Sequence, residues 1–472
     1  MGTTPFLSGV IEGFYGRPWT ASQRARLLGW MQQWGLNTYF HAPKDDLKHR
    51  VLWRLPYSRP ESEALQQLIR TARRAGVRFI HGLSPGLDMV HSDPRDQRAL
   101  RRKLNQLLRL GVRHFALLFD DIPATATARD RRRFSSIAGA HVHTTNRFLD
   151  WLRSQSQDSS LLFCPTPYCE RFAGKVETNE YLRQVGESLH PDVPILWTGP
   201  EIISETISTD SIRRLRSVIR RRPILWDNLH ANDYDFRRLH LGPYSGRTTA
   251  LLDEVQGILA NPNCEFEANY VPLHTLARFV NRRLPWNPRN AYQRALRDWL
   301  PEWRTVSGRR FTLREIEFIA DCFHLPTRLG RRAESWLADY QFLLRQTSER
   351  NNIRSSRFIR ASTAFISGLK NKLPLLANRD LLHALYPRLG DLKQEMEFAL
   401  RHLDQRHPHR QHSLRGGDPG HPPGIFRGGL AAALQNLLPL TAATARTTTL
   451  QGQPPPPPHE STQHADPTGP TR

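Results

Sequence analysis

Over residues 6–285 the sequence repeats one pattern, a short, nearly continuous apolar run followed by a longer stretch with helical spacing. The apolar runs fall at 6–15, 36–43, 77–84, 114–119, 161–164, 195–197 and 224–226, with a weaker one at 257–260. Strands buried on both faces read this way, because a parallel sheet covered by helices has no solvent side. About eight such β-then-α units in succession predict a TIM barrel. A doubly wound sheet is the alternative, but no glycine-rich phosphate loop follows the first run.

Polar and small residues collect just after these runs. They include Glu12-Gly13-Phe14-Tyr15, Pro43-Lys44-Asp45-Asp46, Asp120-Asp121, Pro165-Thr166-Pro167-Tyr168, Thr198-Gly199-Pro200, Asp227-Asn228 and Asn261-Pro262-Asn263. A barrel builds its site from the C-terminal strand ends. One such cluster is explained by turn chemistry; a cluster after nearly every strand is not.

The expected domains are a barrel over 1–285, a helical bundle over 286–403 and a disordered tail over 404–472. In the bundle, Thr312 and Glu315 have capping-box spacing, and Ile316, Ile319, Ala320 and Phe323 form a helical stripe. Three further stripes run through Trp336–Leu344, Phe358–Leu369 and Leu385–Met396, all read as core. The tail holds five consecutive prolines, Pro454 to Pro458, and is rich in Gly, Thr, Gln and His. Within it, 430–440 is an apolar island able to dock. His402, His407, His409 and His412 imply no ordered metal geometry.

The net charge of +23 is the one bulk property that favours a nucleic-acid or acidic partner. The arginines are scattered along helix-like stretches and no nucleic-acid motif is present, so a solvated basic surface is expected. No run of about 18 apolar residues exists to span a membrane. The N-terminal residues lack a signal-peptide pattern, and four cysteines without zinc spacing suit a reducing compartment, so a cytoplasmic setting without cofactor or metal is expected.

The chemistry centres on Phe115-Ala116-Leu117-Leu118-Phe119-Asp120-Asp121-Ile122, an apolar strand ending in two carboxylates. Neighbouring carboxylates repel, which separates their pKa values and lets one site hold an acid and an anion. Spacing alone leaves this open, since Asp45-Asp46 is a second such pair. Successive strand side chains point oppositely, so Asp121 is expected past the strand end.

Several segments decide between these readings by resemblance. They are 6–19 (Phe-Leu-Ser-Gly-Val-Ile-Glu-Gly-Phe-Tyr-Gly-Arg-Pro-Trp), 36–46 (Leu-Asn-Thr-Tyr-Phe-His-Ala-Pro-Lys-Asp-Asp) and 115–121. With them go 196–200 (Leu-Trp-Thr-Gly-Pro), 225–234 (Leu-Trp-Asp-Asn-Leu-His-Ala-Asn-Asp-Tyr) and 261–269 (Asn-Pro-Asn-Cys-Glu-Phe-Glu-Ala-Asn). Together, in order over 6–280, they resemble glycoside hydrolase family 84, the O-GlcNAcases. Segment 323–330 (Phe-His-Leu-Pro-Thr-Arg-Leu-Gly) is similar to that family's helical stalk. Two departures are the short link at 282–290, where a long acidic insertion would stand, and the lack of an acetyltransferase-like segment after the stalk.

The resemblance implies a retaining, substrate-assisted mechanism in which the sugar's own acetamido oxygen forms an oxazoline. It implies that Asp120 orients the acetamido N–H and balances the oxazoline's charge, while Asp121 is general acid and then base. Gly13, Lys44, Asn228, Asp233 and Asn261 match sugar-binding positions, and Tyr168 matches a hydrogen-bonding tyrosine of the acetamido pocket. Tyr15, Phe172, Thr198, Trp226 and Tyr234 would line the pocket, though ordinary barrel packing also accounts for the aromatics. The implied substrates are O-GlcNAc-modified proteins, and the implied assembly is a homodimer through the stalk. A hydrolase of cell-wall, chitin or hyaluronan fragments is the alternative, and a non-catalytic sugar-binding or basic interaction protein is the third reading.

Overall fold

The computed structural model describes residues 5–281, 285–345, 352–404 and 428–437. Eight parallel strands form the expected barrel: β1 (Leu7–Glu12), β2 (Thr38–His41), β3 (Arg78–Leu83), β4 (His114–Leu118), β5 (Ser160–Cys164), β6 (Leu196–Trp197), β7 (Ile224–Asp227) and β8 (Gly257–Ala260). Their order is β5-β4-β3-β2-β1-β8-β7-β6, and a parallel bridge from Phe163 to Ile195 closes the ring. The first four strands and β6 are shorter than the apolar runs that announced them, whereas β5, β7 and β8 fill theirs.

Side-chain parity sorts the strands into two packing layers. Leu7, Ile11, Phe40, Ala42, Ala116, Leu118, Leu196, Trp226 and Leu259 fill the barrel interior. Their neighbours Val10, Tyr39, Phe115, Leu117, Trp197, Leu225 and Ile258 face outward onto the helices. This alternation follows from the two-residue period of a strand. Helix entry is set locally: Thr20 and Ser58 close capping boxes, and Asp93 and Ser208 cap the helices that follow them.

The helical domain has its own core, built by helices Pro288–Trp299, Leu313–Cys322, Arg331–Arg345, Asn352–Lys372 and Arg379–Asp404. The Thr312/Glu315 capping box forms as its spacing predicts. Barrel residues Leu239, Leu241, Ala268 and Val271 belong to the same apolar cluster, so the two regions share a packed seam.

One part of the tail departs from the expected disorder. Gly429–Leu437 is a helix whose Leu430, Ala431 and Leu434 are buried in the helical-domain core. The apolar island docks because its leucines at i and i+4 present one stripe, which joins the apolar cluster of the bundle. The expectation of disorder for 405–427 and 438–472, with His407, His409 and His412, lies outside the described residues. No described helix is long and apolar enough to cross a membrane.

Candidate active site

Continuing the inward parity two residues past each strand's last interior apolar side chain leads to the site. Ile11 is followed by Gly13, Ala42 by Lys44, Leu118 by Asp120, Leu196 by Thr198, Trp226 by Asn228 and Leu259 by Asn261. All six therefore converge on the C-terminal mouth of the barrel.

Asp120 continues this rule and Asp121 breaks it. Asp120 is 6% exposed and accepts a hydrogen bond from the ammonium of Lys44, itself 5% exposed. Burial pushes the Asp120 carboxyl up. The charge and hydrogen bond of Lys44, with Arg50 beyond, more than offset that and hold it below its usual range. Its Oδ1 has no partner among the described residues, nor does Oδ1 of Asn261. Two buried, unmatched acceptors at one mouth await N–H or O–H donors from a ligand.

Asp121 would point away from the mouth if the strand continued. Its backbone instead turns left-handed, with φ 48°, and its side chain is exposed. Tyr168 donates its hydroxyl to Oδ1 at 2.8 Å and Tyr15 donates to Oδ2 at 3.0 Å. Burial, then the Asp121 charge, raises the pKa of both tyrosines, which keeps them as neutral donors. Adjacent carboxylates thus occupy opposite environments, one buried against a cation and one open to solvent between two hydroxyls.

The remaining expected residues divide into floor and rim. Asn261 donates to Oδ1 of Asn228 at 3.0 Å, and Asn228 donates to the Ile202 carbonyl at 2.8 Å. Asp233 accepts from the Tyr15 backbone N–H at 2.9 Å, and burial raises its pKa. Trp226 is buried beside Phe40, with the Lys44 ammonium 5.7 Å from its ring centre. A Cβ on Gly13 would lie 2.4 Å from Trp226 Cζ2, so this glycine makes room for the indole as well as for anything above it. Thr198 is buried and donates to the Glu201 carbonyl at 2.9 Å, fixing its own turn. Phe172, packed edge-on against Tyr168, and Tyr234, whose hydroxyl lies 3.3 Å from His240 Nε2, stand exposed on the rim. Among the described residues, no group of three or more His, Cys, Asp or Glu could hold a metal ion.

Three supporting contacts have no sequence signal. Arg50 reaches the Asp121 carbonyl from the loop after β2. Arg247 and Tyr244 hold the buried Asp227 carboxylate at the end of β7. The loop carrying Asp233 and Tyr234 is tied to the helical domain: Arg388 donates to the Phe236 carbonyl at 2.6 Å, and Leu241 and Gly242 donate backbone N–H groups to Phe323 and His324.

Comparison with known proteins gives the family and the fold. The family model described as beta-N-acetylglucosaminidase (NAGidase) matches residues 8–311. Protein O-GlcNAcase of Rattus norvegicus and that of Mus musculus are each 51% identical over 284 residues, covering 60% of this chain and 31% of theirs. The chain thus spans under a third of the length of these curated relatives. A mutant of the O-GlcNAc hydrolase of Thermobaculum terrenum superposes with TM-score 0.77 at 29% identity, over 85% of this chain and 84% of that one. The structure of CpGH84B, at 24% identity and TM-score 0.71, covers 84% of this chain and 68% of its own and shares the fold.

Proposed function

This chain belongs to the β-N-acetylglucosaminidase family, and from that premise we propose that it removes β-linked N-acetylglucosamine from serine and threonine of proteins with retention of configuration. The observation that carries the reading is the contrast between Asp120 and Asp121: one is anionic, buried and paired with Lys44, the other exposed and steered by two tyrosines.

In the first step the acetamido oxygen bonds to the anomeric carbon as the glycosidic C–O bond breaks. Asp121 gives its proton to the departing serine or threonine oxygen, and Asp120 accepts the acetamido N–H and balances the positive charge that develops on the oxazoline. In the second step water attacks the anomeric carbon as the oxazoline's bond from that carbon to the acetamido oxygen breaks, restoring the acetamide, and the water's proton returns to Asp121. Two inversions leave the β product. The unmatched Oδ1 of Asp120 is an acceptor suited to the acetamido N–H, and the Asn228–Asn261 pair and Asp233 offer hydrogen bonds to sugar hydroxyls.

The reading extends to substrates, assembly and compartment. O-GlcNAc-modified proteins are the substrates, as the relatives' names suggest. The chain pairs with a second copy through its helical domain, where Phe342 and Tyr386 are exposed. It works in the cytoplasm. The test is hydrolysis of a synthetic β-N-acetylglucosaminide beside an O-GlcNAc-modified protein, with Asp121→Ala as control. Release from both substrates, lost in the variant, supports the reading. Release from the synthetic glycoside alone overturns the protein substrate, and no release from either overturns the activity.

A further inference from the structure

Asp121 is one of two non-glycine residues with positive φ among the described residues, the other being Arg220 at the end of a helix. A left-handed conformation costs a residue with a side chain about 1 kcal/mol, so something must hold it. The obvious fixtures are the tyrosines, but they grip the carboxylate rather than the backbone.

The backbone is gripped by Arg50. Its Nη2 donates to the Asp121 carbonyl at 2.6 Å, and its Nη1 lies 3.3 Å from Ser84 Oγ. Ser84 in turn donates its N–H to the His49 carbonyl at 2.9 Å. One planar guanidinium therefore ties the loop ends after β2, β3 and β4 together. Arg50 is 7% exposed and makes no ion pair among the described residues, although a buried cation ordinarily sits on a carboxylate. Its hydrogen bonds go to neutral oxygens, at the point where the chain turns to bring Asp121 beside Asp120. A lysine could supply the charge but not the two-pronged span.

We propose that Arg50 is a positioning residue that fixes the left-handed turn at Asp121 and so aims its carboxyl at the leaving group. The proposal rests on the proton-donor role given to Asp121 above. A misaimed acid penalises only reactions that need the proton, because about 1 Å of misplacement can cost on the order of a hundredfold.

The experiment compares Arg50→Lys and Arg50→Gln with the unsubstituted enzyme on two N-acetylglucosaminides, one with an alkyl leaving group and one with dinitrophenyl. In both variants kcat should fall roughly ten- to a hundredfold on the alkyl glycoside, with less than about threefold loss on the dinitrophenyl glycoside and KM little changed. A purely structural role would lower both rates alike, and a purely electrostatic one would leave Arg50→Lys active. Either outcome overturns the proposal, as does unchanged activity of whichever variant folds. Asp121→Asn is run beside them. If it too loses both substrates equally, the acid assignment has failed. If Asp121→Asn discriminates between the leaving groups and the Arg50 variants do not, only the positioning role has failed.

Discussion

The hydroxyl of Tyr168 lies 2.8 Å from Oδ1 of Asp121 and donates to it, although 47 residues and a whole strand separate the two in sequence. Resemblance assigned that tyrosine to an acetamido pocket; here it also steers the carboxyl that the proposal makes the acid. Tyr168→Phe should therefore lower kcat on poor leaving groups by roughly tenfold and much less on good ones, as expected when the carboxyl loses one of the two hydroxyls that aim it. Steady-state kinetics on a leaving-group series checks it, and a uniform rise in KM alone would restrict Tyr168 to binding.

The nucleophile can be tested from the substrate's side. Replacing the acetyl group by mono-, di- and trifluoroacetyl makes the acetamido oxygen progressively less basic with small changes in size. If that oxygen attacks the anomeric carbon, the rate should fall steeply with each fluorine. A flat series, or an α-configured product by NMR, contradicts substrate assistance even in an enzyme that releases N-acetylglucosamine.

Lys44 and Asp120 are buried together, so removing one strands the other. Lys44→Met should lower stability by about 3–5 kcal/mol, the usual cost of leaving a buried charge unpaired. It should also raise the Asp120 pKa, since the lysine now holds it down against burial. The acid limb of the kcat/KM profile should then move to higher pH. A variant with unaltered melting temperature and profile would mean that Asp120 finds another cation.

Buried and half-buried histidines set the response to acid. Burial lowers the pKa of His49, His240 and His324 to about 3, and that of His91, His114 and His230 to about 4. Unfolded, each takes a proton near pH 6.5, whereas folded it stays neutral. Protons therefore favour the unfolded chain throughout that interval. Melting temperature should be highest above pH 6.5 and fall continuously towards pH 4. A flat profile between these values would mean the rings charge without unfolding the protein.

The docked helix changes what truncation should do. On composition alone, everything after about residue 406 looks dispensable. Leu430 and Leu434 are, however, fully buried, and Gln435 donates to Glu395 at 3.0 Å. A chain ending at Asp404 should lose about 3–6 kcal/mol, from two leucines at about 1.5–3 kcal/mol each. A chain ending at Leu437 should melt with the full-length protein. Equal melting of all three would place the helix outside the stable fold.

What the sequence revealed, and what it hid, follows the range of the interactions. Asp120, Lys44 and Asn228 stood out in the sequence as polar residues just past apolar runs, and resemblance singled them out; strand parity is the physical reason they face the mouth. The turn that breaks parity at Asp121 could only be anticipated as a necessity. The agent that holds it, Arg50, stands 71 positions earlier and looks like one more arginine in a basic chain. The island at 430–440 showed its hydrophobicity but not its partner, because a short stripe has no address without the bundle. Gly13 was read as space for a sugar, while the atom nearest to its missing Cβ belongs to Trp226, a contact that exists only once the barrel closes.

The seam between the loop after β7 and the helices limits how this protein can be rearranged. Main-chain groups of Leu241 and Gly242 pair with those of Phe323 and His324, and Arg388 secures Phe236, so the loop that carries Asp233 and Tyr234 is mortised into the neighbouring bundle. Main-chain pairing has no side chain to substitute. A barrel cut free near residue 285 would keep its acid pair yet lose the footing of Asp233 and Tyr234. A cut at that junction would part the rim loop from the helices that hold it.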